Sequence, residues 1–63
     1  MTKQFKEYEM FSPLWYAMLN GGYDRSKGQH DNPYSPDWEK AEHEAYQVGW
    51  EKEDYWINKE NHK

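Results

Sequence analysis

The stretch NPYSPDW, residues 32–38, separates two segments of the chain with helical patterns. Its two prolines restrict the backbone, and each pushes the residue before it toward extended geometry. The pair Ser35 and Pro36 is typical of a helix start, because serine caps free amides and proline suits the first helical position. The stretch therefore predicts a linker that ends where a second helix begins.

Another serine–proline pair, at residues 12–13, marks the start of the first helix. This helix could stop at Gly21 and Gly22, because a glycine pair lowers helix propensity. We favour continuation, so that the helix covers residues 12–27 and ends at Gly28, a residue suited to left-handed helix termination. The glycine pair would then lie on one side of the helix. Another helix backbone could approach closely at that point.

We expect the linker to cover residues 28–35 and the second helix to cover residues 36–58. Small residues recur at every fourth position of this helix, at Ala41, Ala45 and Gly49, where another backbone could approach. The fold class predicted is all-α, a two-helix hairpin with a Pro-Tyr linker. A heptad-like seam with one lysine is also present, at Trp38, Ala41, Ala45, Val48, Lys52 and Tyr55.

The 63 residues make a single small domain at most. Residues 1–11 are expected to form an arm or a short extra helix, and residues 59–63 a tail. Phe5 and Tyr8 are the apolar side chains that could tie the arm down, since termini are often disordered without such contacts.

The composition indicates how so short a chain could be stabilised. A domain of this size buries only about 60% of its unfolded surface, and without cysteine it has no disulfide. Aromatic residues are abundant, with four Trp, six Tyr and two Phe. The aromatic face of the second helix is wider than the predicted first helix can cover. We therefore expect a homodimer or a protein partner to complete it.

Charge and hydropathy limit the classes of partner. No apolar run is long enough to span a bilayer and the first residues lack a signal-peptide core, so a cytoplasmic protein without membrane contact is expected. The net charge is −4, with +1 over residues 1–28 and −5 over residues 29–63. The acidic half favours basic partners and argues against ordinary nucleic-acid binding.

Two sets of residues are candidates for partner contact. Aromatic side chains concentrate binding energy at interfaces, and the acidic helix surface suits a basic protein. The interpretation is a non-catalytic binding protein, either a regulator or a phage-type host-directed inhibitor. The aromatic anchors are Trp50, Trp56, Tyr46, Tyr34 and Trp15, and the acidic set is Asp37, Glu39, Glu42, Glu44, Glu51, Glu53 and Asp54. An acidic mimic of nucleic acid is an alternative use of the second set.

Chemical sites are weakly indicated. Glu39 and His43 share a helix face, and His30 and Asp31 in the linker could approach them, a combination that can hold zinc. An exposed helical pair explains Glu39 and His43 equally well, because no second Glu–His pair completes a ligand set. Without a thiol or a phosphate-binding glycine loop, we expect no enzyme activity, no metal and no cofactor.

Several glycine and aromatic positions resemble the ribosome modulation factor family. They are Gly22-Tyr23, Gly28, Asn32-Pro33-Tyr34 and the Tyr46-to-Trp50 segment, read in that order. The resemblance covers roughly residues 14–53 and implies two helices joined by a Pro-Tyr linker. It also implies an alternative function, a ribosome-associated factor that contacts RNA. This chain departs from the family in being acidic, in a longer segment after Pro-Tyr, and in having Tyr46 where tryptophan is expected.

Overall fold

Two helices account for the regular structure of the chain. The computed structural model describes residues 5–61, with side chains described for residues 5–59. Within that part, α1 (Pro13–Ser26) packs along α2 (Lys40–Asn61) and no strand is present. The predicted all-α two-helix hairpin is therefore confirmed. The first four residues of the expected arm and the last two of the expected tail lie outside the described residues.

α1 begins and ends where its sequence signals lie. The Ser12 hydroxyl accepts a hydrogen bond from the Trp15 amide at 3.2 Å, and Pro13 occupies the first helical position. At the other end, Gly28 takes a left-handed backbone with φ of +76°. The amide of Gly28 donates to the Arg25 carbonyl at 2.9 Å, closing the last turn. The helix continues through both internal glycines, as predicted.

α2 begins later than the expected residue 36. The Ser35 hydroxyl accepts from the Asp37 amide at 3.2 Å, so it caps a turn and not, as expected, the start of α2. The turn is closed by the Glu39 amide, which donates to the Ser35 carbonyl at 3.0 Å, while the Glu39 carboxylate accepts from the Ser35 amide. This turn is separate from α2, which starts at Lys40. α2 also ends later than expected, at Asn61, so it includes the first residues of the expected tail.

The helices cross with their backbones in contact at Gly21 and Gly49. A Cβ atom added to Gly21 would overlap the Tyr46 carbonyl oxygen and lie 2.8 Å from the Trp50 amide nitrogen. A Cβ atom added to Gly49 would overlap the Met18 carbonyl. No side chain separates the helices here. The crossing therefore requires glycine on both.

Few side chains are fully buried around this crossing. Ala17 and Ala45 contribute small apolar groups, and Tyr46 is the largest residue with no exposed surface. Ala45 and Gly49 thus confirm two members of the predicted small-residue stripe, whereas Ala41 is exposed. Trp38 precedes α2 and is 82% exposed, so it takes no part in a helical seam.

The N-terminal segment is an arm over residues 5–9, without helical structure. Phe5 packs edge-on against Tyr55 of α2, with ring centroids 5.8 Å apart. Lys6 lies 3.5 Å from Glu44, an exposed ion pair that contributes little. The arm enters α1 through a turn in which Phe11 has a φ of +68°, a conformation that is costly for a residue with a side chain.

The crossing predicts opposite effects for neighbouring glycines. We expect Gly21→Ala to destabilise the fold by about 3 kcal/mol, because the helices must move apart to admit the methyl group. Gly22→Ala is the matched control, since its Cβ would lie 3.5 Å from the Gly49 carbonyl, an ordinary contact. Alanine there should stabilise α1 by about 0.5–1 kcal/mol through helix propensity. Urea unfolding followed by circular dichroism measures both changes in stability. If Gly22→Ala lost as much stability as Gly21→Ala, the crossing would be contradicted.

Candidate functional site

The five predicted anchors do not form one surface. Tyr46 lies inside the hairpin beside the crossing, with no exposed surface. Its hydroxyl donates a short hydrogen bond to the Asp24 carboxylate of α1. This corrects the expectation that Tyr46 faces a partner, because its ring and its hydroxyl are both occupied by the fold. The composition shows how many aromatic residues the chain has, but it does not show which of them packs beside a glycine.

Burial and a neighbouring carboxylate make the Tyr46 hydroxyl a weaker acid than that of an ordinary tyrosine. Burial is the largest of the effects that raise the pKa of Tyr46 from the ordinary value of 10.0 to about 12, and the hydrogen bond to Asp24 and the negative charge of that carboxylate contribute to the same shift. Both effects favour the neutral phenol, which donates to the carboxylate. The phenol of Tyr46 is therefore protonated at neutral pH and connects α2 to Asp24 of α1.

Tyr34 folds back against both helices. Its hydroxyl accepts a hydrogen bond from the Asn20 side chain of α1 at 3.3 Å, and its ring lies 6.4 Å from the ring of Tyr46. Asn32 fixes the linker around it: its side-chain oxygen accepts from the Tyr34 amide at 3.0 Å, and its amide group donates to the His43 carbonyl at 3.0 Å. The Asn-Pro-Tyr element thus closes the hairpin, and Tyr34 is half-buried.

Trp50 holds the other part of the linker. Its indole N–H donates to the Gln29 carbonyl at 2.6 Å, and the His30 ring lies 4.4 Å from its ring. The Arg25 guanidinium lies 5.4 Å from the same ring and donates to Asp54 at 2.7 Å. Trp50 therefore joins α2, the linker and the end of α1, and these contacts leave it half-buried.

The remaining two anchors lie apart from each other. Trp15 makes edge-on contacts with Phe11 and Tyr16, each with ring centroids 5.1 Å apart, at the start of α1. Trp56 lies in the last half of α2 and is 45% exposed. Of the five predicted anchors, Trp56 is the one with a substantially exposed ring beside a groove.

The acidic set does not face one direction either. Four of its members contact groups of the chain itself. Glu39 accepts from the Ser35 amide, Glu44 faces Lys6, Glu51 accepts from Gln47, and Asp54 holds Arg25. Because the helical period places Glu42 and Glu53 on the opposite side of α2 from Glu44 and Glu51, the acids do not form one phosphate-like row.

An apolar groove lies on one side of the crossing. It has a volume of about 380 Å³ and runs between the second half of α1 and the second half of α2. Gly49 of the crossing and the neighbouring Gly22 are among the residues that line it. Three exposed apolar side chains line it, Leu19 (45% exposed), Tyr23 (59%) and Trp56 (45%). Tyr16 (51%) does not line the groove but shares the helix face of Leu19 and Tyr23, and we call these four side chains the groove face.

Cations surround the groove face, although the chain is acidic. The Lys27 ammonium lies 4.2 Å from the centre of the Tyr23 ring, and the Lys59 ammonium lies 5.1 Å from the centre of the Trp56 ring. Lys52 and Glu53 line the groove itself. Among the side chains of residues 5–59, three cations and one anion are thus found at this face, the reverse of the charge balance of α2 as a whole.

Three members of the groove face were missed by sequence reasoning. Tyr16, Leu19 and Tyr23 recur at i, i+3 and i+7 in α1, which places them on one helix face. The same segment also contains the glycines and Ala17, which were the stronger signal for the side that contacts α2. An apolar pattern on the opposite side of the same helix was therefore available in the sequence.

Neither metal chemistry nor a membrane-spanning segment is indicated within residues 5–61. No group of three His, Asp or Glu side chains there is placed to hold a metal ion. In that same part of the chain, neither helix combines the length and the apolar character needed to cross a bilayer. In comparisons with protein families, with curated proteins and with solved structures, nothing matches this chain.

The buried phenol predicts an alkaline sensitivity of the fold. Because the pKa of Tyr46 is raised in the folded state, its contribution to stability is complete below pH 10 and is lost as pH rises toward about 12. Tyr46→Phe should lower stability at neutral pH by about 1.5–3 kcal/mol, since Asp24 loses a charged hydrogen bond. It should also remove the late phenolate step from an ultraviolet pH titration. An unchanged titration in the variant would contradict this assignment.

Tyr34 predicts a separable effect of its ring and its hydroxyl. Tyr34→Ala should destabilise the hairpin by about 2–4 kcal/mol, because the ring packs against Tyr46. Tyr34→Phe keeps the ring and loses only the bond from Asn20, so it should cost about 1 kcal/mol or less. Thermal unfolding measures both. Equal losses in the two variants would show that the ring contributes nothing.

Proposed function

We propose that this chain is a small non-catalytic binding module that docks on a protein partner through the groove face. The observation that carries the proposal is a groove lined by the exposed side chains of Leu19, Tyr23 and Trp56, with exposed Tyr16 on the same face of α1. Contiguous apolar surface of this kind marks interaction sites. Tyrosine and tryptophan are the side chains that supply most binding energy at interfaces.

The groove face replaces four of the five anchors expected from the sequence. Tyr46, Tyr34 and Trp50 are engaged in holding the hairpin and its linker. A partner that used them would have to break those contacts, which costs stability that a 63-residue chain has little of. Trp56 is retained from the sequence prediction. A regulatory or inhibitory role and a cytoplasmic location stay predictions.

A second candidate is a ribosome-associated factor that contacts RNA. The sequence resemblance suggests it, and the lysines beside the Tyr23 and Trp56 rings favour it, because cations and stacking rings together bind single strands. The protein partner is preferred because Met18, Leu19 and two glycines give the groove an apolar lining beside Lys52, and such a lining suits apolar side chains of a protein.

Capture from a lysate of the source cells tests the proposal. The bait is the tagged chain, compared with the double variant Leu19→Ser, Tyr23→Ser. We expect the double variant to lose its partner by at least about tenfold, because each anchor is worth more than about 1 kcal/mol. Trp38→Ala is the matched control, since it removes an exposed aromatic ring outside the groove face and should leave capture unchanged.

Nuclease treatment separates the two candidates in the same experiment. A protein that stays bound after nuclease, and is lost with the double variant, supports the proposed function. Capture of ribosomes that nuclease abolishes would instead support the RNA-contacting factor. Equal capture by the chain and by the double variant would contradict the groove face as the docking site.

A further inference from the structure

We infer that the partner segment which the groove face binds is an acidic amphipathic helix. This inference rests on the proposed function and adds the chemistry of the partner to it. It also reverses the expectation from net charge, which favours a basic partner. The reversal follows from where the charges lie rather than from how many there are.

The charges at the groove face select an acidic ligand. Lys27 and Lys59 lie over the rings of Tyr23 and Trp56, and Lys52 lines the groove between those rings. Glu53 is the acid that lines the same groove. A basic segment would meet these three ammonium groups and displace them from the aromatic faces that they cover, which costs the cation–π contacts. An acidic segment instead gains an opposite charge for each of them.

Two of the acids of α2 already have cationic partners within the chain. The carboxylates of Glu44 and Asp54 are engaged by Lys6 and Arg25. Arg25 and Lys6 in turn are neutralised by those contacts and add nothing to the cations of the groove face. Beyond about 8–10 Å, salt at physiological concentration screens the remaining charges. Within the described side chains at the groove face, positive charge therefore exceeds negative charge, although the whole chain is at −4.

A helix fits this site better than an extended segment. Residues 5–61 contain no strand, so they offer no sheet edge to which a strand could add. The three α1 members of the groove face lie at i, i+3 and i+7, and such a row matches the anchors of a second helix laid beside it. The apolar stripe of that helix would then also contact Trp56 and the groove.

The area available indicates weak, reversible binding. Four large side chains, each about half exposed, would lose on the order of 400 Å² on being covered. That is below the roughly 800 Å² per partner of a standard stable interface. The electrostatic contribution of the lysines should therefore be a visible share of the affinity and should make it depend on salt.

The test uses two synthetic helical peptides and the full chain. The acidic probe has leucine at i, i+3 and i+7 and glutamate on both flanks, and its twin has lysine at the glutamate positions. We expect the acidic probe to bind at least about tenfold more tightly than the twin, measured by tryptophan fluorescence and calorimetry. Raising the salt from about 0.05 M to about 0.5 M should remove most of that preference.

Charge reversal on the protein is the matched control. The variant Lys52→Glu, Lys59→Glu should reduce or invert the preference for the acidic probe, while Leu19→Ser should weaken both peptides without changing their order. Lys40→Glu makes a change of the same sign outside the groove face and should leave the preference intact. Circular dichroism of each variant checks that the hairpin is retained.

Defined results would overturn the inference. Equal or tighter binding of the lysine twin, binding of neither peptide, or binding unaffected by Leu19→Ser would each do so. So would displacement of the acidic probe by a single-stranded RNA oligomer at lower concentration, or sedimentation that shows a dimer of this chain which Leu19→Ser dissociates. Preference for the lysine twin leaves the proposed function standing, because the lysate experiment depends on the apolar anchors and not on the sign of the charge.

Discussion

Contact between two helix backbones at Gly21 and Gly49 is the constraint on which the rest of this structure depends. With no Cβ atom at either position, the Met18 and Tyr46 carbonyls lie against the opposite helix. Such close packing replaces the layer of apolar side chains that usually separates two helices. It allows a chain with few aliphatic residues to bring 14- and 22-residue helices together.

The aromatic residues are displaced by the same constraint. Because nothing large fits between the backbones, the rings lie around the crossing rather than in it. Tyr46 fits beside it and is fixed by Asp24. Tyr34 and Trp50 fasten the two ends of the linker. The apolar side chains on the outer side of α1, together with Trp56, are left at the surface, and the groove face is made of them.

Local signals in the sequence predicted the architecture, whereas the direction of side chains was not predictable in the same way. Ser12 and Gly28 are recognisable as helix ends because capping depends on neighbouring residues alone. The role of Tyr46 depends on Gly21 and Asp24, which are more than 20 residues away in the chain. Composition gives the number of aromatic rings but not which side of a crossing each one occupies.

The placement of charge illustrates the same limit. The acidic balance of residues 29–63 is plain in the sequence, yet Asp54 and Glu44 are engaged by cations from distant parts of the chain. Lys27, directly after α1, lies instead over the Tyr23 ring, and Lys59 of α2 lies over the Trp56 ring. Net charge therefore describes the whole molecule in solution, and the field at one groove has to be derived from the fold.

Nuclear magnetic resonance of the chain in solution tests the central claim, the backbone crossing, most directly. If the helices meet as described, the α-protons of Gly49 and Met18 give a nuclear Overhauser cross-peak, since a Cβ atom on Gly49 would lie 3.0 Å from the Met18 Cα. The α-protons of Gly21 should likewise contact the amide of Trp50. Helical chemical shifts for both segments without these cross-peaks would contradict the crossing and, with it, the groove face that depends on it.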